Sequence, residues 1–156
     1  MPRSSTSGES SPTVTERLLS GTLDLIGRGG GSLSVRGLAE ASGRSTMCVY
    51  TYFGGRGALL AAAHQEAGRE LLETIGRHDE PLARAHAAAT WMNEHPLLAL
   101  WLFTVAEPAD VTPHRSELAT RARALLDRRD GAMGLGEMVG LLALDGRVTV
   151  DEDAAR

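Results

Sequence analysis

Side chains that could bind a nucleic acid are concentrated between residues 34 and 56, which read SVRGLAEASGRSTMCVYTYFGGR. They carry hydroxyl, sulfur, phenol and guanidinium groups. An arginine can donate two hydrogen bonds to guanine O6 and N7, and a threonine or methionine methyl group can contact the methyl group of thymine. Hydroxyl groups and arginines also bind phosphate oxygens. The segment is therefore a candidate surface for duplex DNA.

Apolar spacing predicts how this segment folds. Leu38 and Ala39 form an apolar pair, Gly43 follows four residues after the alanine, and Val49 and Phe53 resume an apolar face at helical spacing. The pattern predicts two short helices joined by a tight turn in which Gly43 adopts a positive φ. This is the layout of a helix-turn-helix, whose second helix enters the major groove of DNA.

The second predicted helix has one face for packing and one for contact. Ser45 stands at its N-cap, where the hydroxyl can accept a hydrogen bond from a free backbone N–H. If Val49 packs inward, the opposite face presents four candidate base readers, Thr46, Met47, Tyr50 and Thr51. The alternative for the tyrosines of this helix is packing at the edge of a small core.

As a set, these residues resemble the DNA-binding module of the tetracycline-repressor (TetR/AcrR) family of bacterial transcription regulators. The resemblance covers about residues 13 to 65 and is carried by Ser34-Val35-Arg36, Leu38-Ala39, Gly43-Arg44-Ser45, Val49-Tyr50, Tyr52-Phe53 and Arg56 with Ala58-Leu59-Leu60. It implies that base edges are approached by Arg36, Thr46, Met47 and Tyr50. The resemblance also implies that four residues lie along the sugar-phosphate backbone: Ser34, Cys48, Tyr52 and Arg56. The alternative for Arg36 is a solvated charge on a helix surface.

Two positions depart from the family pattern. Arg44 replaces a small apolar residue, so either its stem packs while its guanidinium reaches water, or it contacts a phosphate. Cys48 replaces a frequent threonine. A redox switch at Cys48 would need a second cysteine to resolve its oxidised form, and the chain has only one cysteine. Cys48 is therefore expected to be a small packing residue.

The arginines are unevenly placed. The chain has a formal net charge of −4, and all sixteen of its basic residues are arginine. Six arginines and four acidic residues precede Ala58, a formal +2, whereas the remainder carries ten arginines and sixteen acidic residues, a formal −6. A positive N-terminal part joined to an acidic remainder suits a protein that touches phosphates at one end only.

The 156 residues predict an all-α fold in two parts. Residues 1–11 are rich in Ser, Thr, Gly and Pro and predict a disordered tail. Residues 12–55 form a predicted three-helix head, the helix-turn-helix domain, whose first helix begins with a capping box of Thr13 and Glu16. Residues 56–156 form a predicted helical body for effector binding and dimerisation.

Prolines and helical spacing divide this body further. A long helix is expected from about Arg56 to Gly76, and Pro81 can open the next one. His95-Pro96 marks a break, and Thr112-Pro113 is expected to cap a later helix. Six residues near the break could line a cavity for a small-molecule effector, or could simply fill the core: Trp91, Met92, His95, Trp101, Leu102 and Phe103.

The C-terminal part gives an ambiguous pattern. Gly131, Gly134 and Gly136 indicate either a kinked helix or a mobile linker. Residues 151–156 read as the acidic first turn of a helix that then stops. The resembling family continues here into two helices that pair with a second subunit, so the body looks shortened, either by truncation or because the protein is naturally short.

The sequence lacks the signals of several kinds of catalytic, metal and nucleotide site. A single cysteine excludes an intrachain disulfide and a cysteine-based zinc site, and the five histidines lack zinc-ligand spacing. No nucleophile elbow or catalytic carboxylate pair is present, and the glycines from 27 to 31 lack the flanking signals of a phosphate loop. The expectation is a non-enzymatic protein without metal or cofactor. No apolar run predicts a membrane span or a signal peptide, so a cytoplasmic location is expected.

The resemblance implies a sequence-specific DNA-binding transcription regulator. Its expected partners are double-stranded DNA with a near-palindromic operator, a second copy of the chain in a homodimer, and a small-molecule effector that releases a repressor from the operator. Two alternatives remain. The protein could be a helical regulator without a ligand response, or a helical small-molecule binder that does not bind DNA.

Overall fold

The computed structural model describes residues 12–104, 111–126 and 135–145. The secondary structure within them is entirely α-helical, which confirms the predicted fold class. None of the helices in these ranges combines the length and the apolar character needed to cross a bilayer. The helices are α1 (Val14–Gly27), α2 (Val35–Ala41), α3 (Thr46–Phe53), α4 (Arg56–Gly76), α5 (Pro81–Glu94), α6 (Pro96–Phe103), α7 (Thr112–Leu125) and α8 (Leu135–Asp145).

Three sequence predictions concern residues outside the described ranges. They are the tail over residues 1–11, the two glycines at 131 and 134, and the acidic turn over residues 151–156. The third glycine of that cluster, Gly136, lies in the first turn of α8.

Of the two side-chain caps predicted at the starts of α1 and α7, one is confirmed and one is wrong. Thr13 and Glu16 form the predicted capping box: the Glu16 N–H donates to Thr13 Oγ1 over 3.2 Å, and the Thr13 N–H donates to the Glu16 carboxylate over 2.6 Å. The backbone bond from Thr13 lowers the pKa of Glu16. The cap predicted at Thr112-Pro113 is wrong, because Thr112 is already helical and buried Val111 precedes it without a side-chain cap.

Helix α4 lies at the centre of the fold and contacts α1, α3, α5, α6 and α7. All seven residues that helical spacing places on its inner face are buried: Leu59, Leu60, Ala63, Ala67, Leu71, Leu72 and Ile75. Two further residues, His64 and Gly68, are buried on the same helix. The buried residues of the predicted head and body join one hydrophobic core, so α4 packs against both.

Two side chains from other helices satisfy the carbonyl groups at the end of α6. The ring of His64 on α4 lies 3.0 Å from the Leu102 carbonyl oxygen through Nε2, and Arg115 on α7 donates to the same oxygen over 3.1 Å through Nε. Arg115 Nη2 also lies 3.5 Å from the Trp101 carbonyl oxygen. The last carbonyls of a helix have no partner within it, and a cation there is also favoured by the helix dipole. These bonds therefore fix α4, α6 and α7 to one another.

The crossing of α1 and α2 depends on a glycine. A Cβ atom added to Gly21 of α1 would lie 2.7 Å from the Ser42 Cα and 2.9 Å from the Ala41 carbonyl oxygen. Both neighbours are backbone atoms at the end of α2, so no side-chain rotation could relieve the contact. The hydroxyl of Ser42 also lies 3.4 Å from the Leu18 carbonyl oxygen across the same crossing. Gly21 thus permits a closer approach than any other residue would.

We expect Gly21→Ala to destabilise the protein by about 1–3 kcal/mol, because the added methyl group must push α1 and α2 apart. Gly27→Ala in the same helix is the matched control, since a Cβ there would meet no heavy atom within 4 Å. The control should be neutral or more stable by up to about 1 kcal/mol. Urea denaturation of both variants gives the comparison. Equal effects would show that the α1–α2 crossing tolerates a side chain.

We also expect part of the pH dependence of stability to come from His64. Burial lowers the pKa of His64 from its ordinary value of 6.5, an effect only partly offset by the hydrogen bond to the Leu102 carbonyl. As the pH falls below about 6.5, the unfolded chain takes up this proton before the folded protein does, so stability is lost down to the folded-state pKa and then levels off. His64→Gln keeps an N–H that can donate to the same carbonyl but does not titrate.

The measurement is the free energy of unfolding of wild type and His64→Gln in urea from pH 8 to pH 5. All other titratable groups are shared, so their contributions cancel in the difference between the two proteins. The difference should change in favour of the variant on acidification, by at most about 1.4 kcal/mol per pH unit. Parallel curves would mean that His64 has the same proton affinity in the folded and unfolded states.

Candidate functional site

Helix α2 ends in the turn that the sequence predicts. Gly43 has a φ of 61°, in the left-handed region. Its N–H donates to the Glu40 carbonyl over 3.0 Å, and the Arg44 N–H donates to the Ala39 carbonyl over 2.9 Å. This pair of bonds is a Schellman motif, which satisfies the free carbonyls of a helix end. It also fixes the direction in which the chain leaves α2 and enters α3.

The predicted base readers lie on the solvent side of α3. Val49 is fully buried and joins the same core as Leu38 of α2. On the opposite side, Thr46 and Thr51 are exposed, and two large side chains have unusually high exposed fractions, Met47 at 70% and Tyr50 at 55%. Tyr52, three residues after Val49, lies on another side of the helix and is 52% exposed. The structure therefore brings the predicted reader residues together on one free face, and leaves the tyrosines outside the core.

The two serines that precede the short helices behave differently. The Ser34 hydroxyl accepts a hydrogen bond from the Gly37 N–H over 3.2 Å and so caps α2. The predicted hydroxyl cap at Ser45 is wrong: Ser45 occupies the N-cap position, but its Oγ lies 3.4 Å from the Cys48 sulfur and makes no bond to the backbone of α3. Cys48 is half-buried and packs against the core.

The three arginines of the candidate interface have distinct surroundings. Arg36 donates to the Glu40 carboxylate over 2.8 Å, and both side chains are largely exposed. Arg44 is half-buried, and its Nε finds no hydrogen-bond partner among the described residues. Arg56 donates through Nε to the Leu33 carbonyl and so connects the start of α4 to the segment before α2. Arg36 is thus the arginine whose guanidinium extends furthest into solvent.

The six residues predicted as an effector pocket are divided, within the described part of the chain, between the hydrophobic core and a groove. Met92, Trp101 and Leu102 are core residues with at most 3% of their surface exposed, and Phe103 is half-buried against the same core. Of the six, Trp91 and His95 line a groove that described residues form. Helix α6 is apolar on almost every side, so its sequence could not indicate which side faces the core.

This groove, of about 950 Å³, lies between α4 and α5. Its floor includes apolar side chains of α5, and its rim carries carboxylates and imidazoles. Glu70 of α4 accepts a hydrogen bond from the Trp91 indole N–H over 3.2 Å, and the ring of His95 lies against that of Trp91 with centroids 5.1 Å apart. The lining residues are Glu70, Thr74, His78, Glu80, Leu82, Ala83, His86, Ala87, Thr90, Trp91, Glu94 and His95.

Sequence reasoning missed most of this groove. Glu70 and Glu94 were not singled out, because single glutamates on helices usually are solvated surface charges. One signal was present: Glu70 and Thr74 follow one another at helical spacing on a face of α4 that carries no apolar stripe, and His78, just after the end of α4, continues the spacing. Within the described ranges, no three metal-ligating side chains come together as a metal site.

We expect the two serines to differ in their effect on stability. Ser34→Ala removes a side-chain cap and should cost about 1 kcal/mol of unfolding free energy. Ser45→Ala is the matched control, because its hydroxyl makes no bond to a backbone N–H of α3, and should cost less than about 0.5 kcal/mol. Urea denaturation decides between them. Equal losses would mean that Ser45 caps α3 in solution.

No protein-family model matches the chain. The chain is 35% identical over 137 residues to a protein named glutamate 5-kinase from Myxococcus xanthus (strain DK1622). The match covers 84% of this chain but 33% of that protein, so the chain spans about a third of the relative's length. The similarity is therefore to one part of a longer protein.

Proposed function

We propose that this protein is a transcription regulator of the TetR/AcrR type, which binds duplex DNA by placing α3 in the major groove. The observation that carries the proposal is the exposed face of α3. Met47 and Tyr50, three residues apart and so neighbours on this face, each expose more than half of their surface. Single exposed apolar residues are common, but two large ones side by side on one short helix are typical of a binding surface.

The chemistry of this face is suited to base edges and phosphates. Methyl groups of Thr46 and Met47 can contact thymine, and the Tyr50 hydroxyl can donate or accept a hydrogen bond. The Tyr52 and Ser45 hydroxyls, on the same helix and at its start, can bind phosphate oxygens. An α-helix fits into the major groove of B-DNA, which is roughly 12 Å wide.

Arg36 can serve as a base reader despite its ion pair. An exposed i, i+4 pair such as Arg36 with Glu40 contributes about 0.3–0.5 kcal/mol, whereas a bidentate contact to guanine contributes roughly 1–3 kcal/mol of discrimination. Breaking the pair on binding DNA is therefore favourable overall. Before binding, Glu40 holds the guanidinium on the exposed side of α2.

The distribution of charge supports an orientation in which α2 and α3 face the DNA. The residues up to Gly57 carry a formal +2, whereas the rest of the chain carries a formal −6. Phosphates attract the first part and repel the second, so the field of the protein favours approach with α2 and α3 toward the duplex. In this proposal Arg44 and Arg56, which flank α3 in the sequence, lie nearest to the DNA backbone.

The regulatory part of the proposal concerns α4 to α8. A homodimer would hold two copies of α3 roughly 34–36 Å apart on a near-palindromic operator. An effector bound to the body would release the DNA if it favoured a different separation, because a ligand shifts only states that it binds unequally. Helix α4, which contacts α3 as well as α5, α6 and α7, is the element that connects the two sites.

The match to a glutamate 5-kinase suggests a second candidate, an enzyme that transfers phosphate to glutamate. A glycine-rich phosphate loop must turn free backbone N–H groups toward its ligand. In the glycine-rich segment here, the Gly29 N–H already donates to the Ile26 carbonyl, and Leu97 and Leu25 lie close against Gly29 and Gly31. We therefore propose a non-enzymatic function. Glutamate-dependent conversion of ATP to ADP by the purified chain would favour the kinase instead.

The proposal is tested by selecting bound sequences from a random duplex pool. We expect a recurrent, near-palindromic site, with an affinity that falls steeply as salt rises from 50 to 200 mM, because phosphate contacts release counterions. Arg36→Ala should cost about 1–3 kcal/mol on the selected site and relax the preference at one base pair. Arg121→Ala is the matched control: Arg121 is also exposed and lies near Glu117 in an i, i+4 pair, but on α7.

Three results would contradict the proposal in different ways. Recovery of random sequences would exclude specific recognition. Equal weakening by Arg36→Ala on every sequence would make Arg36 a phosphate contact and not a reader. Equal effects of Arg36→Ala and Arg121→Ala would show that α2 and α3 are not the DNA-binding surface.

A further inference from the structure

The groove between α4 and α5 combines an apolar floor with unpaired negative charge. We propose that it binds an organic cation with an apolar body, such as a quaternary ammonium or phosphonium compound. The ligand class would be that of the effector in the proposed function. Only the word effector rests on that function. Binding itself can be measured on the free protein, without DNA.

The dimensions and the floor fit such a ligand. A volume of about 950 Å³ lies within the range of roughly 300–1,000 Å³ that holds drug-sized molecules. Leu82, Ala83 and Ala87 on α5 are half-buried and line the groove together with Trp91. These side chains can remove the apolar part of a ligand from water, which supplies most of the affinity in sites of this kind.

The charge of the groove selects a cation. Three carboxylates line it, Glu70, Glu80 and Glu94, and all three residues are exposed. Glu80 and Glu94 form no ion pair with another residue of the described ranges. No arginine is among the residues that line this groove in the described part of the chain. Arg84 of α5 donates through Nε to the His78 carbonyl over 2.8 Å, so one guanidinium lies near the groove, against three carboxylates in its lining. A bound cation would therefore meet an excess of negative charge.

The position of Glu94 adds to this preference. It is the last residue of α5, where the negative end of the helix dipole makes a carboxylate unfavourable and a cation favourable. A cation beside Glu94 would interact favourably with both the carboxylate and the helix end. The apo protein keeps two repelling groups together at this point, and a positively charged ligand would relieve the repulsion.

Glu70 and Trp91 give the groove a fixed wall. The indole N–H of Trp91 donates to the Glu70 carboxylate over 3.2 Å, which orients both groups across the space between α4 and α5. The remaining lone pairs of this carboxylate can face a ligand. Because Trp91 is 4% exposed, its ring is held by the core and cannot rotate out of the groove.

An anionic ligand fits this groove poorly. The nearest arginine on α4, Arg69, directs its guanidinium to Glu66 and Glu73, with N–O distances of 2.6 Å to each. Those carboxylates raise its pKa and keep it charged but occupied. Arg69 lines two smaller pockets near α7 and is not part of the α4–α5 groove.

The test compares two probes of nearly equal size and apolar surface but opposite charge, tetraphenylphosphonium and tetraphenylborate, by isothermal titration calorimetry with the free full-length chain. We expect the phosphonium to bind at one site per chain and the borate to bind at least tenfold more weakly. Glu94→Gln removes one charge with little change of shape. It should weaken phosphonium binding about five- to tenfold, because water in the open groove screens each charge pair.

Two further variants complete the test. Glu70→Gln keeps an oxygen that can accept the Trp91 N–H, so a weakening similar to that of Glu94→Gln is expected from the lost charge. Glu117→Gln on α7 makes the same charge change outside the groove and should leave binding within twofold of wild type. Equal binding of both probes, no binding of the phosphonium, or equal effects of Glu94→Gln and Glu117→Gln would each overturn the proposal. None of these results bears on whether α3 binds DNA.

Discussion

The carbonyl groups at the end of α6 impose a constraint that connects the whole body of the protein. They lie inside the fold, and a buried carbonyl without a donor costs about 1–3 kcal/mol. His64 from α4 and Arg115 from α7 provide the donors. Because each donor comes from a different helix, α4, α6 and α7 can move relative to one another only if one of these bonds is broken or replaced. These hydrogen bonds therefore restrict α4, α6 and α7 to discrete arrangements, so the three helices cannot shift continuously.

Besides the shared hydrophobic core, two specific contacts connect the head to this body. The first is α4, whose first residue, Arg56, donates to the Leu33 carbonyl ahead of α2. The second is the contact of Leu97, at the start of α6, with Gly29 in the segment after α1. A shift of α4 relative to α6 would therefore move the two connections differently. Such a shift would rotate α1 to α3 as a unit, since the close α1–α2 crossing at Gly21 holds that unit together.

Local rules made much of this fold predictable, and long-range contacts account for what was missed. The buried face of α4 follows from the helical spacing of its apolar residues. The turn at Gly43 follows from the positive φ that glycine adopts readily. Both signals lie within a short stretch of sequence. His64 lies on the same stripe as Leu60 and Leu71, but its burial could not be predicted, because its partner Leu102 is distant in sequence. The space required at Gly21 depends on Ser42, and the groove depends on the pairing of α4 with α5. Neither feature can be predicted from a short stretch of sequence.

The helix proposed to read DNA has few stabilising interactions of its own. Helix α3 has eight residues, no side-chain cap and one fully buried side chain. Isolated helices of this length are not stable in water, so α3 is ordered by the Schellman turn before it and by its packing on α2 and α4. Its exposed side chains contribute little to folding, which leaves their identity free to be set by a binding partner. For the same reason, a ligand that displaced α4 would act directly on the order and direction of α3, without any further transmitting element.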